Sequence, residues 1–168
     1  MRNKTIIIAE AGVNHNGNIN LALKQVDIAS KSRADYVKFQ TYSTDDLVQR
    51  KVELARYQKK NLKLSSTQYK LLKKFELSET DHLKIIRRCK LRKIKFLSSP
   101  FDLKSINLLK KLNLNLFKIP SGEITNVPYL KKIGSLKKKI ILSTGMSTSE
   151  EIKKAINILT SSGTKKKN

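Results

Sequence analysis

The chain has 168 residues, 39% of them hydrophobic, which is enough for one compact domain with a core and excludes a disordered protein. Its formal net charge of +23 at pH 7 is compatible with nucleic-acid binding. However, arginine occupies only seven positions and the lysines are spread along every predicted helix, so solvated helix faces explain the charge better than a nucleic-acid interface.

No apolar run approaches the roughly 18–20 residues that a membrane-spanning helix needs. Residues 5–11 are too short for the core of a secretory signal followed by a cleavage site. The single cysteine, Cys89, lies on a helical pattern and is predicted to be a small buried side chain, since it has no cysteine partner. We therefore expect a cytoplasmic protein without a membrane segment.

The first predicted unit is strand, helix, strand. The apolar run Ile6–Glu10 is typical of a strand buried on both faces, and a turn-rich loop follows over residues 12–17. Apolar residues at helical spacing predict a helix over Ile19–Ser30. Tyr36–Gln40 then predicts a second strand with a lysine in its interior.

The middle of the chain begins with a long irregular connection, residues 42–77, in which Thr67–Phe75 predicts a helix. Ser78 is predicted to cap the next helix, which has acidic residues in its first turn. Ile94–Ser98 predicts the third strand, and Asp102 is predicted to cap the helix that follows it.

The last two predicted strands are Leu116–Ile119 and Lys139–Ser143, with a short helix between them. Ser147 with Glu150 predicts a capping box at the start of a helix over Glu151–Leu159. Five strands that are each followed by a helix predict an α/β fold with a parallel sheet and right-handed crossovers.

Polar and charged side chains collect at the predicted strand ends. In a parallel arrangement these ends meet at one side of the sheet, so we expect one site. Each residue alone has an ordinary structural explanation, such as a buried ion pair or a turn. Between Lys118 and Glu123, a cation, a hydroxyl and a carboxylate follow closely, which suits an anionic substrate that exchanges a proton. The polar and charged residues at or near the predicted strand ends are Glu10, Lys38, Gln40, Ser99, Lys118, Ser121, Glu123 and Ser143.

Five segments, in this order, resemble the motifs of the N-acetylneuraminate (sialic acid) synthase family. They are AEAGVNHNG at 9–17, VKFQTY at 37–42, LSSPFD at 97–102, KIPSGE at 118–123 and LSTGM at 142–146. The resemblance covers nearly the whole chain, and five ordered motifs are far more specific than one. It implies a (β/α)8 TIM barrel, of which this sequence holds about five of the eight βα units.

The resemblance also implies a reaction and a set of site residues. The family condenses phosphoenolpyruvate with an N-acyl hexosamine such as N-acetylmannosamine, forming a nine-carbon sialic-type acid and phosphate in carbohydrate biosynthesis. His15 is interpreted as a positioning residue rather than a metal ligand. By their matching positions, Lys38, Lys118, Ser121 and Ser143 resemble phosphoenolpyruvate ligands, Glu10 and Glu123 resemble the catalytic acids, and Asn14, Gln40 and Ser99 resemble contacts to sugar or water.

The resemblance further implies a homodimer of chains about twice this long, with eight barrel strands and an antifreeze-like domain. Residues 1–168 would then be the N-terminal portion of the barrel. The family uses a divalent metal, Mn or Mg, whose histidine ligands lie on later strands, so we expect this chain to lack them.

We therefore expect weak or no activity from the chain alone. The alternatives are a remnant that needs a complementary fragment or subunit, and a basic nucleic-acid-binding protein. The acceptor is left open among N-acetylmannosamine, its 6-phosphate and the amino sugars of legionaminic or pseudaminic acid.

Overall fold

The fold alternates strands and helices, as the sequence predicts. The computed structural model describes residues 5–53 and 67–166. The strands are β1 (Ile8–Gly12), β2 (Tyr36–Thr41), β3 (Lys95–Pro100), β4 (Leu116–Ile119) and β5 (Lys139–Leu142). The helices are α1 (Ile19–Lys31), α2 (Thr44–Leu47), α3 (Gln68–Phe75), α4 (Glu79–Leu91), α5 (Leu103–Lys111), α6 (Val127–Ser135) and α7 (Ser149–Ser161). Part of the predicted irregular connection, residues 54–66, lies outside the described residues.

Side-chain caps start several of these helices. Ser78 and Asp81 form a capping box at α4, and the Asp102 side chain accepts from the Ser105 N–H at α5, so both predicted caps are confirmed. The capping box predicted for α7 was wrong by one residue. Thr148 is the N-cap, and Glu151 is its partner, accepting the Thr148 N–H at 2.7 Å.

The strands pair in parallel in two separate groups. β1, β2 and β3 form one sheet, and β4 and β5 form another. β3 and β4 lie in contact, but no strand pairing joins them in the described part of the chain. We call this break between β3 and β4 the seam. The α/β class with parallel strands is confirmed, whereas the single continuous sheet was wrong and the described strands close no barrel.

Each strand group has its own core. Val26, Phe39 and Ile85 belong to the core between the first group and helices α1 and α4. Phe117 and Ile133 belong to the core of the second group. Because successive side chains of a strand point to opposite faces, the residues between these core positions face away from the helices. In β2 the buried residues are Val37, Phe39 and Thr41, and the alternate residues are Tyr36, Lys38 and Gln40.

Helices α1 and α4 are also joined by an ion pair. The Arg88 guanidinium donates to both carboxylate oxygens of Asp27, and Arg92 Nε donates to Oδ1 of the same carboxylate at 2.7 Å. This forked geometry is among the stronger forms of an ion pair, since it fixes orientation as well as distance. The two helices that cover the first strand group are therefore held in register by a polar contact as well as by their core.

No helix in residues 5–53 and 67–166 combines the length and apolar character needed to cross a membrane.

Candidate functional site

Lys38 and Glu10 form an ion pair between the middle of β1 and the middle of β2. The two residues are register partners in the parallel pairing of β1 with β2. The Lys38 side chain is only 15% exposed, whereas the Glu10 side chain is 52% exposed. The ammonium group is therefore sheltered, while its carboxylate partner remains open to solvent.

Gly12 makes room for this pair. The register of β1 shifts between Glu10 and Gly12, where the strand bulges, and Gly12 has φ +53°, a conformation that favours glycine. A Cβ at this position would lie 3.3 Å from Glu10 Oε1 and 4.0 Å from Gln40 Nε2. The bulge therefore brings the backbone close to both side chains.

A second cluster lies at the carboxyl end of the second strand group. Lys118 Nζ donates to Ser143 Oγ at 2.5 Å and to the Ile119 carbonyl at 3.0 Å. Ser121 is in the short 3-10 turn after β4, and its Oγ lies 3.6 Å from where a Cβ on Gly145 would be. Three of the residues predicted to bind phosphoenolpyruvate, Lys118, Ser121 and Ser143, thus lie around the ends of β4 and β5.

Lys118 lies within electrostatic reach of Lys38 and Glu10. Burial is the largest cause that lowers the pKa of Lys118, the Lys38 ammonium lowers it further, and the Glu10 carboxylate opposes both. Two partly buried ammonium groups that repel each other form a place where an anion is stabilised. The structure therefore brings together Glu10, Lys38 and Lys118 from three separate strands.

The other predicted site residues are placed less uniformly. Ser99 is register partner to Gln40, and its hydroxyl is buried with no hydrogen-bond partner in the described part of the chain. Asn14 is exposed in the turn after β1. The carboxylate of Glu123 accepts from the Asn126 side-chain amide at 2.7 Å, and no ion pair within the described ranges joins Glu123 to the two lysines.

The described residues do not fit a divalent metal. Within residues 5–53 and 67–166, no three His, Cys, Asp or Glu side chains lie close enough to share an ion. His15 is fully buried and its Nδ1 accepts from the Gly17 N–H at 3.1 Å. Both ring nitrogens of His82 are hydrogen-bonded within the protein. We derive no step of the chemistry through a metal, and the cofactor expected from the family resemblance stays a prediction.

Three polar residues lie directly behind the site and were not predicted from the sequence. Thr41, Ser98 and His82 are buried, and the Thr41 hydroxyl is hydrogen-bonded to each of the other two side chains. Tyr129 donates its hydroxyl to the Pro100 carbonyl at 2.7 Å, holding the end of β3 to α6. The available signal was His82 itself, which shares the core-facing helical spacing of Ile85 and Cys89 and is therefore a polar residue on an apolar face.

Comparison with known proteins gives a consistent result. A model of the NeuB family matches residues 25–167. Over 98% of its length the chain is 52% identical to the N,N'-diacetyllegionaminic acid synthase of Campylobacter jejuni, covering 49% of that protein. Over 90% of its length it is 52% identical to the N,N'-diacetyllegionaminic acid synthase of Legionella pneumophila, covering 42% of that protein.

A solved structure is also similar. The N-acetylneuraminic acid synthetase of Leptospira borgpetersenii, in complex with citrate, superposes with a TM-score of 0.80 and 30% identity over 95% of this chain and 51% of that one. The chain thus spans about half the length of the relatives it matches.

Proposed function

This chain belongs to the NeuB family, and on that premise we propose that it supplies the phosphoenolpyruvate side of a condensation that forms a nonulosonic acid. The observation that carries the proposal is that Lys38 and Lys118, from strands of two separate groups, are partly buried and close enough for their charges to interact. Both lysines are at least partly sheltered, so a bound anion interacts with them in a medium less screened than bulk water.

Phosphoenolpyruvate carries two anionic groups, a phosphate and a carboxylate. The candidate site offers two cations and several hydroxyls. An ammonium group binds phosphate as a point charge, and serine hydroxyls add hydrogen bonds to the remaining oxygens. Lys118 with Ser121 and Ser143 would hold one anionic group, and Lys38 would hold the other after release from Glu10.

The chemistry then needs proton management near the reacting carbons. The enol carbon C3 attacks the aldehyde carbon of the sugar, a water adds to C2, and phosphate leaves as the C2–O bond breaks. The aldehyde oxygen gains a proton. The water loses two, one as it adds to C2 and one as its oxygen becomes the C2 ketone and phosphate leaves. In this proposal Glu10, freed from its ion pair with Lys38, accepts the first proton of the water. Glu123 is proposed to contact the sugar, which requires it to exchange its hydrogen bond with Asn126.

We further propose that the acceptor is an amino sugar with two N-acetyl groups. The two relatives at 52% identity are both N,N'-diacetyllegionaminic acid synthases. Phosphoenolpyruvate contains no nitrogen, so both N-acetyl groups of such a product come from the acceptor. This choice is supported by similarity over the part of the relatives that the chain matches.

The test is direct binding of phosphoenolpyruvate, measured by isothermal titration calorimetry on the purified chain. Lys38→Met and Lys118→Met are each expected to weaken binding by about 10–100-fold, since a charge-assisted contact contributes about 1.5–3 kcal/mol. Lys154→Met, an exposed lysine on α7, is the matched control and is expected to bind like the original chain. Equal affinities for all four proteins would contradict the proposed site.

A further inference from the structure

His82 is the centre of a buried polar chain behind the candidate site. It lies in the first turn of α4 and is fully buried. Its Nδ1 is 2.8 Å from the Ser78 carbonyl oxygen, and its Nε2 is 2.8 Å from Thr41 Oγ1. Thr41 Oγ1 is in turn 2.7 Å from Ser98 Oγ. These hydrogen bonds therefore join α4, β2 and β3.

The carbonyl partner of Nδ1 and a neutral imidazole ring together fix the direction of each hydrogen bond. A backbone carbonyl only accepts, so Nδ1 of His82 carries the proton and donates to Ser78. Burial is the main cause that lowers the pKa of His82, which keeps the ring neutral and leaves Nε2 as an acceptor. Thr41 then donates to Nε2, and Ser98 donates to Thr41. All three side chains are satisfied by one arrangement of protons.

The hydrogen-bonded side chains of Thr41 and Ser98 belong to residues that adjoin two predicted site residues in sequence. Thr41 follows Gln40 in β2, and Ser98 precedes Ser99 in β3, while Gln40 and Ser99 are register partners. Because neighbouring side chains of a strand point to opposite faces, the hydrogen-bonded pair holds the strands from behind at the level of the predicted ligands. Phe96 packs edge-on against the His82 ring at 6.2 Å between centroids, which limits rotation of the ring.

We propose that Ser98, Thr41 and His82 form a positioning relay that fixes the carboxyl ends of β2 and β3 and thereby the placement of Gln40, Ser99 and Lys38 for anion binding. The relay rests on the proposed function for its effect on phosphoenolpyruvate. None of its three residues touches the ligand. They act through the strand ends that they hold.

The first test is the tautomer of each histidine, read from 15N chemical shifts of the histidine-labelled chain. The chain has two histidines. His82 is expected to be protonated on Nδ1, whereas His15, whose Nδ1 accepts from Gly17, is expected to be protonated on Nε2 and serves as the internal control. A His82 ring protonated on Nε2 in the folded chain would overturn the relay.

The second test compares His82→Gln with His82→Asn. A glutamine amide reaches the place of Nε2 and can accept from Thr41, whereas an asparagine amide reaches only the place of Nδ1. We expect His82→Gln to bind phosphoenolpyruvate within about threefold of the original chain and His82→Asn to bind about tenfold more weakly. Thr41→Val, which keeps the shape and removes the hydroxyl, is expected to follow His82→Asn and covers the case in which His82→Asn does not fold.

The outcomes separate the two proposals. Lower melting temperatures with unchanged affinity in His82→Asn and Thr41→Val would show a structural role alone and overturn the relay. If the original chain does not bind phosphoenolpyruvate, the proposed function fails. The relay is then judged by the backbone amide shifts of Gln40 and Ser99, which are expected to move in His82→Asn and Thr41→Val and to stay in place in His82→Gln. Unmoved shifts in all three variants would overturn the relay.

Discussion

Lys118, which is predicted to bind phosphoenolpyruvate, makes the stability of the fold depend on pH. Burial and the Lys38 ammonium lower its pKa in the folded chain, so the native state binds fewer protons than the unfolded state between the two pKa values. The free energy of unfolding then rises as the pH rises through this window. Below the folded pKa the charged lysine destabilises the fold, and an anion would offset that cost.

Lys118→Met is therefore expected to raise the melting temperature at pH 7 while weakening phosphoenolpyruvate binding. The difference in melting temperature from the original chain should shrink between pH 7 and pH 11, as Lys118 loses its charge. Scanning calorimetry across this range measures the difference, with Lys154→Met as the exposed control. A Lys118→Met variant less stable than the original chain at pH 7 would contradict this account.

Gly12 allows a sharp comparison with another glycine. Gly12→Ala places a Cβ at φ +53° and 3.3 Å from the Glu10 carboxylate, so we expect a loss of about 1–2 kcal/mol in the free energy of unfolding. The control is Gly122→Ala, where an added Cβ meets no atom within 4 Å, and a change within about 0.5 kcal/mol is expected. Urea unfolding measures both, and equal losses would show that the bulge is not strained by a side chain.

Among single residues, the sequence predicts the site-facing residues of the strands better than the polar residues that face the helices. Glu10, Lys38 and Lys118 are visible as charges that interrupt apolar runs near strand ends. Thr41 and Ser98 are small polar residues that either face accommodates, so only the tertiary contact with His82 gives them a role.

Among the elements, strand and helix positions follow from periodicity, while their ends depend on local geometry. Ser147 with Glu150 and Thr148 with Glu151 both have the spacing of a capping box, so the pattern alone does not choose between them. The backbone distinguishes them, because Thr148 is extended, with φ −77° and ψ 159°, and the helix begins at Ser149.

The ion pair between α1 and α4 has its own pH dependence. The Arg88 and Arg92 guanidinium groups hold the pKa of the Asp27 carboxyl well below its usual range. Stability from this pair is complete above the unfolded pKa of about 4 and is lost as the pH falls toward the lowered value.

Asp27→Asn is accordingly expected to lower the free energy of unfolding by about 1 kcal/mol at pH 7, with a smaller difference at pH 3. Urea unfolding of the variant and the original chain at both pH values measures it. Asp46→Asn, which removes an exposed pair with Lys104, is the control with a smaller expected effect at pH 7. A loss for Asp27→Asn that stays constant with pH would argue against the ion pair as its cause.

Over the whole molecule, the five strand–helix units and the parallel direction follow from the sequence, but the seam does not. A strand's apolar pattern reports that it is buried and does not report which neighbour it bonds to. The outer edges of β1 and β5 are unpaired among the described strands, and exposed edges favour association with further strands.

We therefore expect slow phosphate release by the chain alone and faster release when it is co-expressed with the half of the Campylobacter jejuni relative that it does not match. The measurement is phosphate release from phosphoenolpyruvate with a diacetamido sugar and manganese, using Lys38→Met in the same pair as the inactive control. Turnover by the chain alone at the full relative's rate would contradict the expectation.

The proposed anion site spans the seam. Lys38 belongs to the strand group on one side of the seam, and Lys118 belongs to the group on the other side. An anion bound by both lysines would connect two groups that no strand pairing joins in the described residues. A ligand that binds only when the two strand groups are correctly placed stabilises that placement. The affinity for the anion and the stability of the contact between the two groups are then linked.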